Sequence, residues 1–295
     1  MILNTPPRVV VVGGGHAGVE AALAAARLGA EVYLITPERA ALGRMSCNPA
    51  VGGVAKGHLV RELDCLGGAI GLAADRSAIQ TRVLNRGRGP AVQATRTQND
   101  RVRFSTAIRE IVASAERVRV IEARVEGLHV EGGRIRGVRL SDGRRVDGDA
   151  CVLTTGTFLR GAIFVGDLRV PGGRLGEAAS SGLSNELEGL GFALRRFKTG
   201  TPPRLDGRTI DPSRMVRQDS EPDAQPFSLR FDGARLPQHP CYKTHTGAAT
   251  AAVVRAHLHR SARYGGAIEG TGARYCPSIE DKIVRFPDHG THTIF

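Results

Sequence analysis

Apolar residues recur along this chain at two different periods, and the places where the period changes mark out its elements. Residues 8–12 hold four valines in succession, a run too short for a buried helix and rich in β-branched side chains, so a strand is expected there. A glycine cluster follows, then an alanine-rich helical stretch to Leu28, then an apolar run at 31–35 that reads as a second strand. That order predicts one βαβ unit, and with it a parallel sheet. Helical spacing predicts further helices over 57–66, 101–113 and 183–191. Residues 118–152 instead alternate in short stretches. Glu131-Gly132-Gly133 and Ser141-Asp142-Gly143 break them as hairpin turns, and a buried strand is expected at the end. Residues 200–245 turn rich in proline, charge and turn formers, which places a domain boundary near 200. Residues 291–295 read as a strand with no closing helix or polar tail, so the chain is expected to be the front part of something longer.

The first glycine cluster, Gly13-Gly14-Gly15-His16-Ala17-Gly18, sits between a strand and a helix, where the Gly-x-Gly-x-x-Gly pattern has a mechanism. Gly13 permits the sharp turn. Gly15 lets backbone approach a pyrophosphate, Gly18 lets helix pack on strand, and the helix N-terminus offers amides and a positive dipole end to the phosphates. A ribose-binding carboxylate is expected about 20 residues on. The strand end carries Thr36, with Glu38 just beyond it as the candidate. Residues 149–158 (Asp-Ala-Cys-Val-Leu-Thr-Thr-Gly-Thr-Phe), arriving after a β-rich excursion at about 115–150, resemble the late strand of FAD-binding folds. The expected architecture is therefore α/β: a Rossmann-like, FAD/NAD(P)-binding three-layer fold with β-rich insertions. Residues 1–200 form the FAD-binding domain, and 201–295 begin a nicotinamide and insertion region.

Composition adds little to the fold and something to the partners. With 295 residues, 41% apolar and 24% charged, the chain has an ordinary globular balance. A net charge of +12 favours a polyanion such as RNA. The five cysteines (Cys47, Cys65, Cys151, Cys241, Cys276) are odd in number and widely spaced, which suits reduced thiols in a cytoplasmic protein. No leader or membrane segment is expected at the start. The His257/His259 and His289/His292 pairs lack zinc spacing, so no metal is expected, and no Gly-x-x-x-x-Gly-Lys-Ser/Thr loop implies a nucleotidase.

Single thiols are therefore the reactive candidates. Cys47 lies in a glycine-rich loop after the second strand, where such folds approach a flavin ring, and Cys65 is too far along the chain to form a flavin disulfide pair with it. Cys276 sits among Arg274, Tyr275, Glu280, Asp281 and Lys282, and neighbouring cations could activate its thiolate to add to a pyrimidine ring. Arg82, Arg86, Arg88, Arg96, Arg101 and Arg103 crowd one segment. They suit either a phosphate surface or a solvated face.

Five runs occur in one order: Gly13 to Gly18; Met45-Ser-Cys-Asn-Pro-Ala-Val-Gly-Gly53; Gly89-Pro-Ala-Val-Gln-Ala-Thr-Arg96; Lys198-Thr-Gly-Thr-Pro-Pro-Arg204; and Arg274-Tyr-Cys-Pro-Ser-Ile-Glu-Asp-Lys282. Together they resemble the MnmG (GidA) family over essentially the whole chain, matching about the first half of a typical member. The resemblance implies an FAD-dependent enzyme that acts with the GTPase MnmE on tRNA. It would add a carboxymethylaminomethyl or aminomethyl group to C5 of the wobble uridine, using methylene-tetrahydrofolate and NADH, as a homodimer. It also implies FAD contacts at Gly13, Gly14, Gly15, His16, Ala17, Gly18, Val125 and Ser180. A nicotinamide segment is implied at Gly272, Ala273, Arg274, Tyr275, Cys276, Pro277, Ser278, Ile279, Glu280, Asp281, Lys282, Ile283, Val284, Arg285 and Phe286. Cys47 and Cys276 match the two family cysteines linked to activity, and the attack on uridine is assigned to neither. The alternatives are a folate- and FAD-dependent tRNA uridine methyltransferase and a non-catalytic flavoprotein scaffold.

Overall fold

In the computed structural model, residues 5–268 and 277–295 are described. The chain opens with β1 (Arg8–Val12), α1 (His16–Arg27) and β2 (Glu31–Thr36), the βαβ unit the valine run and alanine stretch predict. It continues through β3 (Ala50–Gly52), α2 (Lys56–Cys65), α3 (Ile70–Ser77), β4 (Ala78–Leu84), β5 (Ala94–Asn99) and α4 (Arg101–Ala113). Then come β6 (Val118–Glu122), β7 (Val125–Glu131), β8 (Arg134–Leu140), β9 (Arg145–Asp147) and β10 (Ala150–Leu153).

The central sheet is parallel, in the order β10-β1-β2-β6, so β1 has β2 on one side and the late strand β10 on the other. Successive residues of β1 point to opposite faces, and each face meets a different layer. Val11 packs with Val19, Ala22 and Leu23 of α1 and with Phe104, Ile108 and Val112 of α4. Val10 and Val12 pack with Val125, Val138 and Leu140 of the antiparallel sheet β7-β8-β9. Helices, parallel sheet and hairpin sheet thus form three layers. Burying each valine or leucine between them contributes about 1.5–3 kcal/mol, enough to make the strand run the anchor of the unit.

Two expectations change here. Residues 118–122, expected to open the hairpins, pair parallel with β2 as the fourth strand of the main sheet. The hairpins begin only at Val125, with their turns at 132–133 and 141–143 as the glycines require. The stretch 149–158, expected as a buried strand ending in a threonine and glycine turn, does end its strand at Leu153 before Thr154-Thr155-Gly156, but the strand is not buried. Its Val152 and Leu153 are both 36% exposed, because β10 is an edge strand of this sheet.

A second, antiparallel sheet in the order β3-β5-β4 has no counterpart in the sequence reading. Its strands are polar, and buried Gln80, Thr97 and Asn99 hide the apolar alternation that would announce them. These groups are satisfied internally. Gln80 donates to the Gln218 carbonyl at 2.7 Å, Thr97 to Asn99 Oδ1 at 2.9 Å, and Asn99 to the Ala74 carbonyl at 2.7 Å. Carboxylate side chains fix the starts of the surrounding helices. Glu20 of α1 accepts the first amides of α3, from Ala69 and Ile70, and Asp100 accepts those of Val102 and Arg103 as the N-cap of α4.

The remaining elements are β11 (Ala162–Val165), β12 (Leu168–Pro171), α5 (Gly182–Gly189), β13 (Val216–Gln218), β14 (Cys241–His245), α6 (Ala248–Ala256), α7 (Ile279–Arg285) and β15 (Thr293–Ile294). β13, β14 and β15 form a small antiparallel sheet, and β11 with β12 a hairpin. No helix among the described residues is long and apolar enough to cross a membrane.

Candidate functional site

The C-terminal ends of β1, β2 and β10 meet where the strand order reverses, and the glycine loop fills that point. Gly13 has φ +111°, a conformation that favours glycine, and its amide donates to the Ile35 carbonyl at 2.8 Å. Thr154, just past β10, latches the turn from the other side. Its hydroxyl donates to the Val12 carbonyl at 2.8 Å and lies 3.2 Å from that of Gly13. A Cβ on Gly14 would press on Leu42 and Thr36, and one on Gly18 would collide with the Gly13 carbonyl. A Cβ on Gly15 would meet nothing within 4 Å. Gly15 is the N-cap of α1, has no side-chain cap, and the first turn holds no acidic residue. The amide-rich, positive end of a 12-residue helix therefore opens onto free space, the arrangement that accepts a phosphate.

His16, the first residue of α1, packs edge-on against Phe104 with ring centroids 5.5 Å apart. Burial holds its imidazole below the ordinary range, so the ring is neutral near pH 7, and its Nε2 is buried with no hydrogen-bond partner among the described residues. Glu38, the candidate ribose carboxylate, is already paired with Arg44 at 3.3 Å, and Arg44 also holds Glu177 at 2.9 Å. Val125 turns its side chain into the hairpin core, opposite Leu140 in the β7–β8 ladder. Ser180 bridges to Leu159, its amide donating to the Phe158 carbonyl at 2.9 Å.

A second constellation gathers around Cys47. Its Sγ lies 4.0 Å from the Gly200 carbonyl, and its own carbonyl accepts from Arg204 at 3.4 Å. Gly200 in turn backs onto Ser278, whose Cβ would stand 3.3 Å from a Cβ at 200. A buried carboxylate ties these segments together. Asp281 is 2% exposed and accepts from Lys198 Nζ at 2.9 Å, Ser278 Oγ at 2.9 Å, Arg263 Nη1 at 2.6 Å and Tyr264 Oη at 3.0 Å. Burial opposes its charge, but the donors from Lys198, Ser278 and Tyr264 outweigh it and hold the carboxyl well below the usual carboxylate range. The tertiary structure thus brings the Cys47 loop, the 198–204 run and the start of α7 onto one another. Cys276, with Gly272, Ala273, Arg274 and Tyr275, lies outside the described residues.

The family model described as glucose inhibited division protein A matches residues 8–295. The chain belongs to the GidA family. A Geobacter metallireducens protein named tRNA uridine 5-carboxymethylaminomethyl modification enzyme MnmG is 50% identical over 287 residues, covering 97% of this chain and 46% of that protein. One of the same name from Granulibacter bethesdensis is 49% identical over 290 residues, again 97% and 46%. The crystal structure of Aquifex aeolicus GidA (form I) superposes with a TM-score of 0.90 at 45% identity, over 99% of this chain and 50% of that one. The chain therefore spans about half the length of the relatives it matches. A Rossmann-like α/β fold is common to this GidA chain and that solved one.

Within this GidA fold the arginine-rich segment resolves mainly into internal contacts. Arg82 and Arg86 pair with Glu221 at 3.2 and 2.6 Å, Arg86 also reaches Asp223 at 3.0 Å, and Arg101 donates to the Met45 carbonyl at 3.2 Å. Arg88 and Arg103 are exposed. Sequence reasoning passed over Thr154 as a latch and missed the pairing of Lys198 with Asp281. Those two stand 83 residues apart, and no local period links them.

Proposed function

We propose that this GidA chain is the FAD-binding half of an enzyme that modifies the wobble uridine of tRNA at C5. The group added is carboxymethylaminomethyl or aminomethyl, the one-carbon donor methylene-tetrahydrofolate, the reductant NADH, and the partners the GTPase MnmE and a second copy of the chain. Most of the weight rests on one observation: the uncapped, unobstructed N-terminus of α1 at Gly15, in a chain half-identical to proteins named for this modification.

The residues present fit FAD. The amides of the first turn of α1 would hold its pyrophosphate, Gly13 and Gly18 keep the turn tight, and Thr154 keeps β10 in register with it. When bound, FAD supplies the redox chemistry of the one-carbon transfer. Neutral His16 adds no charge of its own beside the phosphate loop. Cys47 and Cys276 are the thiols proposed to act on the pyrimidine, whose loop position in the anticodon keeps unstacking costs low. In the segment proposed for the nicotinamide cofactor, Asp281 and Ile283 are buried. Ile279, Val284 and Phe286 are exposed, which supports their availability to a ligand.

The test begins with the visible spectrum of the purified 295-residue chain and identification of any released cofactor. Stoichiometric FAD supports the reading, and a folded chain that takes up no added FAD overturns it for this half. Analysis of tRNA wobble uridine in cells carrying Cys47→Ser or Cys276→Ser then tests the thiols. Undiminished modification with either serine removes that thiol from the proposal.

A further inference from the structure

Away from the glycine loop, a cleft of about 370 Å³ opens between the edge strand β4 and the sheet β13-β14-β15. Four cations line it, Arg82, Arg86, Arg96 and Lys243, against a single side-chain carboxylate, Glu221. That carboxylate is already spent. Its two oxygens hold Arg82 at 3.2 Å and Arg86 at 2.6 Å, and one also accepts the Val83 amide at 3.1 Å. Arg86 has Asp223 as well, at 3.0 Å.

Arg96 and Lys243 have no ion pair among the described residues. Arg96 also stands directly opposite Arg82 in the β4–β5 ladder, on the same face of the sheet. Like charges facing each other across an antiparallel pair destabilise it. Burial compounds the problem, since it acts against the Arg96 cation and the charge of Arg82 adds to it. Besides an attraction to the half-buried Cys241 thiol, the Arg96 guanidinium lies against the Phe295 ring, 3.9 Å from its centroid. A half-buried cation pair with one spent carboxylate nearby is the electrostatic outline of an anion site, and its volume falls in the roughly 300–1,000 Å³ range of ligand clefts.

We propose that this cleft binds the phosphate of a nucleotide unit, with Arg96, Arg82 and Lys243 on the phosphate and the Phe295 ring beside the base or sugar. Guanidinium forks bind phosphate oxygens bidentately, and a phosphate carries more charge and more acceptor oxygens than a carboxylate to set against several cations. The choice of a nucleotide rests on the RNA-modifying function proposed above; the cation geometry does not. The phosphate can belong to a free nucleotide or to an RNA strand, and the two are separable by experiment.

The 295-residue chain would be titrated calorimetrically with UMP and with a short uridine-containing RNA hairpin, alongside Arg96→Gln and Lys243→Gln. Each variant is expected to weaken binding about tenfold, the loss of one charge-assisted contact. Because Arg96→Gln removes a like-charge pair, its thermal midpoint without ligand is expected to equal or exceed that of the parent chain. Whichever probe binds should raise the parent's midpoint more than that of either variant. Binding of both probes identifies a free-nucleotide site, and binding of the hairpin alone assigns the phosphate to an RNA strand. Binding of neither, binding indifferent to both substitutions, or a fall in the ligand-free midpoint of Arg96→Gln overturns the proposal. FAD retention, measured on the same samples, keeps the two readings apart. FAD bound with no cleft binding sinks only the cleft, whereas cleft binding without FAD sinks only the flavoenzyme reading.

Discussion

Replacing Lys198 by methionine keeps the length and apolar stem of the side chain and removes its charge from Asp281. The Lys198 side chain is 10% exposed and that of Asp281 3%, so the pair is a desolvated one. Removing one partner of a buried pair typically costs 3–5 kcal/mol, because the other charge is left uncompensated. Asp281 would keep Arg263, Tyr264 and Ser278, so the lower end applies, about 3 kcal/mol. At about 2–4 °C per kcal/mol, the thermal midpoint followed by far-ultraviolet circular dichroism should fall by about 6–12 °C. Lys198→Met with Asp281→Asn should cost less than the two single changes summed, since each removes the same contact. The pH dependence is fixed in sign. The folded-state pKa of Asp281 is depressed, so its stabilisation is complete above the unfolded carboxylate range near 3.9 and is lost as pH falls toward the depressed value. The gap between parent and Lys198→Met should therefore stay flat from pH 5 to 8. An unchanged midpoint in Lys198→Met, or strict additivity in the double variant, would show that the network does not hold the 198–204 run to α7.

The glycines of the loop separate by role. Gly15→Ala should leave the midpoint unchanged yet weaken FAD by about tenfold or more, whereas Gly18→Ala, which drives a methyl into the Gly13 carbonyl, should lower stability even without cofactor; fluorescence titration and melting of both variants check this. Asp100→Ala removes the N-cap of α4 and should cost about 1 kcal/mol, read by urea unfolding. Burial pushes the Asp75 carboxyl up to about 6 against the amides of Phe227 and Ser228 that it accepts. Its contribution is thus complete below about pH 4 and lost as pH rises through 6, an effect of about 3 kcal/mol. Asp75→Asn should flatten that part of the midpoint-versus-pH curve, and an unaltered curve would remove Asp75 as its source.

The βαβ unit, the glycine turn and the hairpin turns were legible in the sequence because their signals are local. Four valines, an alanine-rich helix and glycines at fixed offsets each act on neighbours within a few residues. The sheet of β3, β4 and β5 was not, because its buried positions carry glutamine, threonine and asparagine, and Gln80 and Asn99 find their partners in other segments. Val118–Glu122 looked like the start of a hairpin because alternation says nothing about which strand will pair with which. Its place beside β2 follows from the crossover through α4. Cys47 was marked out as a lone thiol in a glycine-rich loop, but its environment comes from Gly200 and Arg204, more than 150 residues on. The same holds for Asp281, whose neighbours in the chain gave no hint of Lys198. Local sequence determined the glycine turn between β1 and α1, since a turn is built from contiguous backbone. Only the tertiary structure decided which charges are neutralised, because partners such as Glu221 for Arg86 and Asp281 for Lys198 are chosen by packing across long separations in sequence.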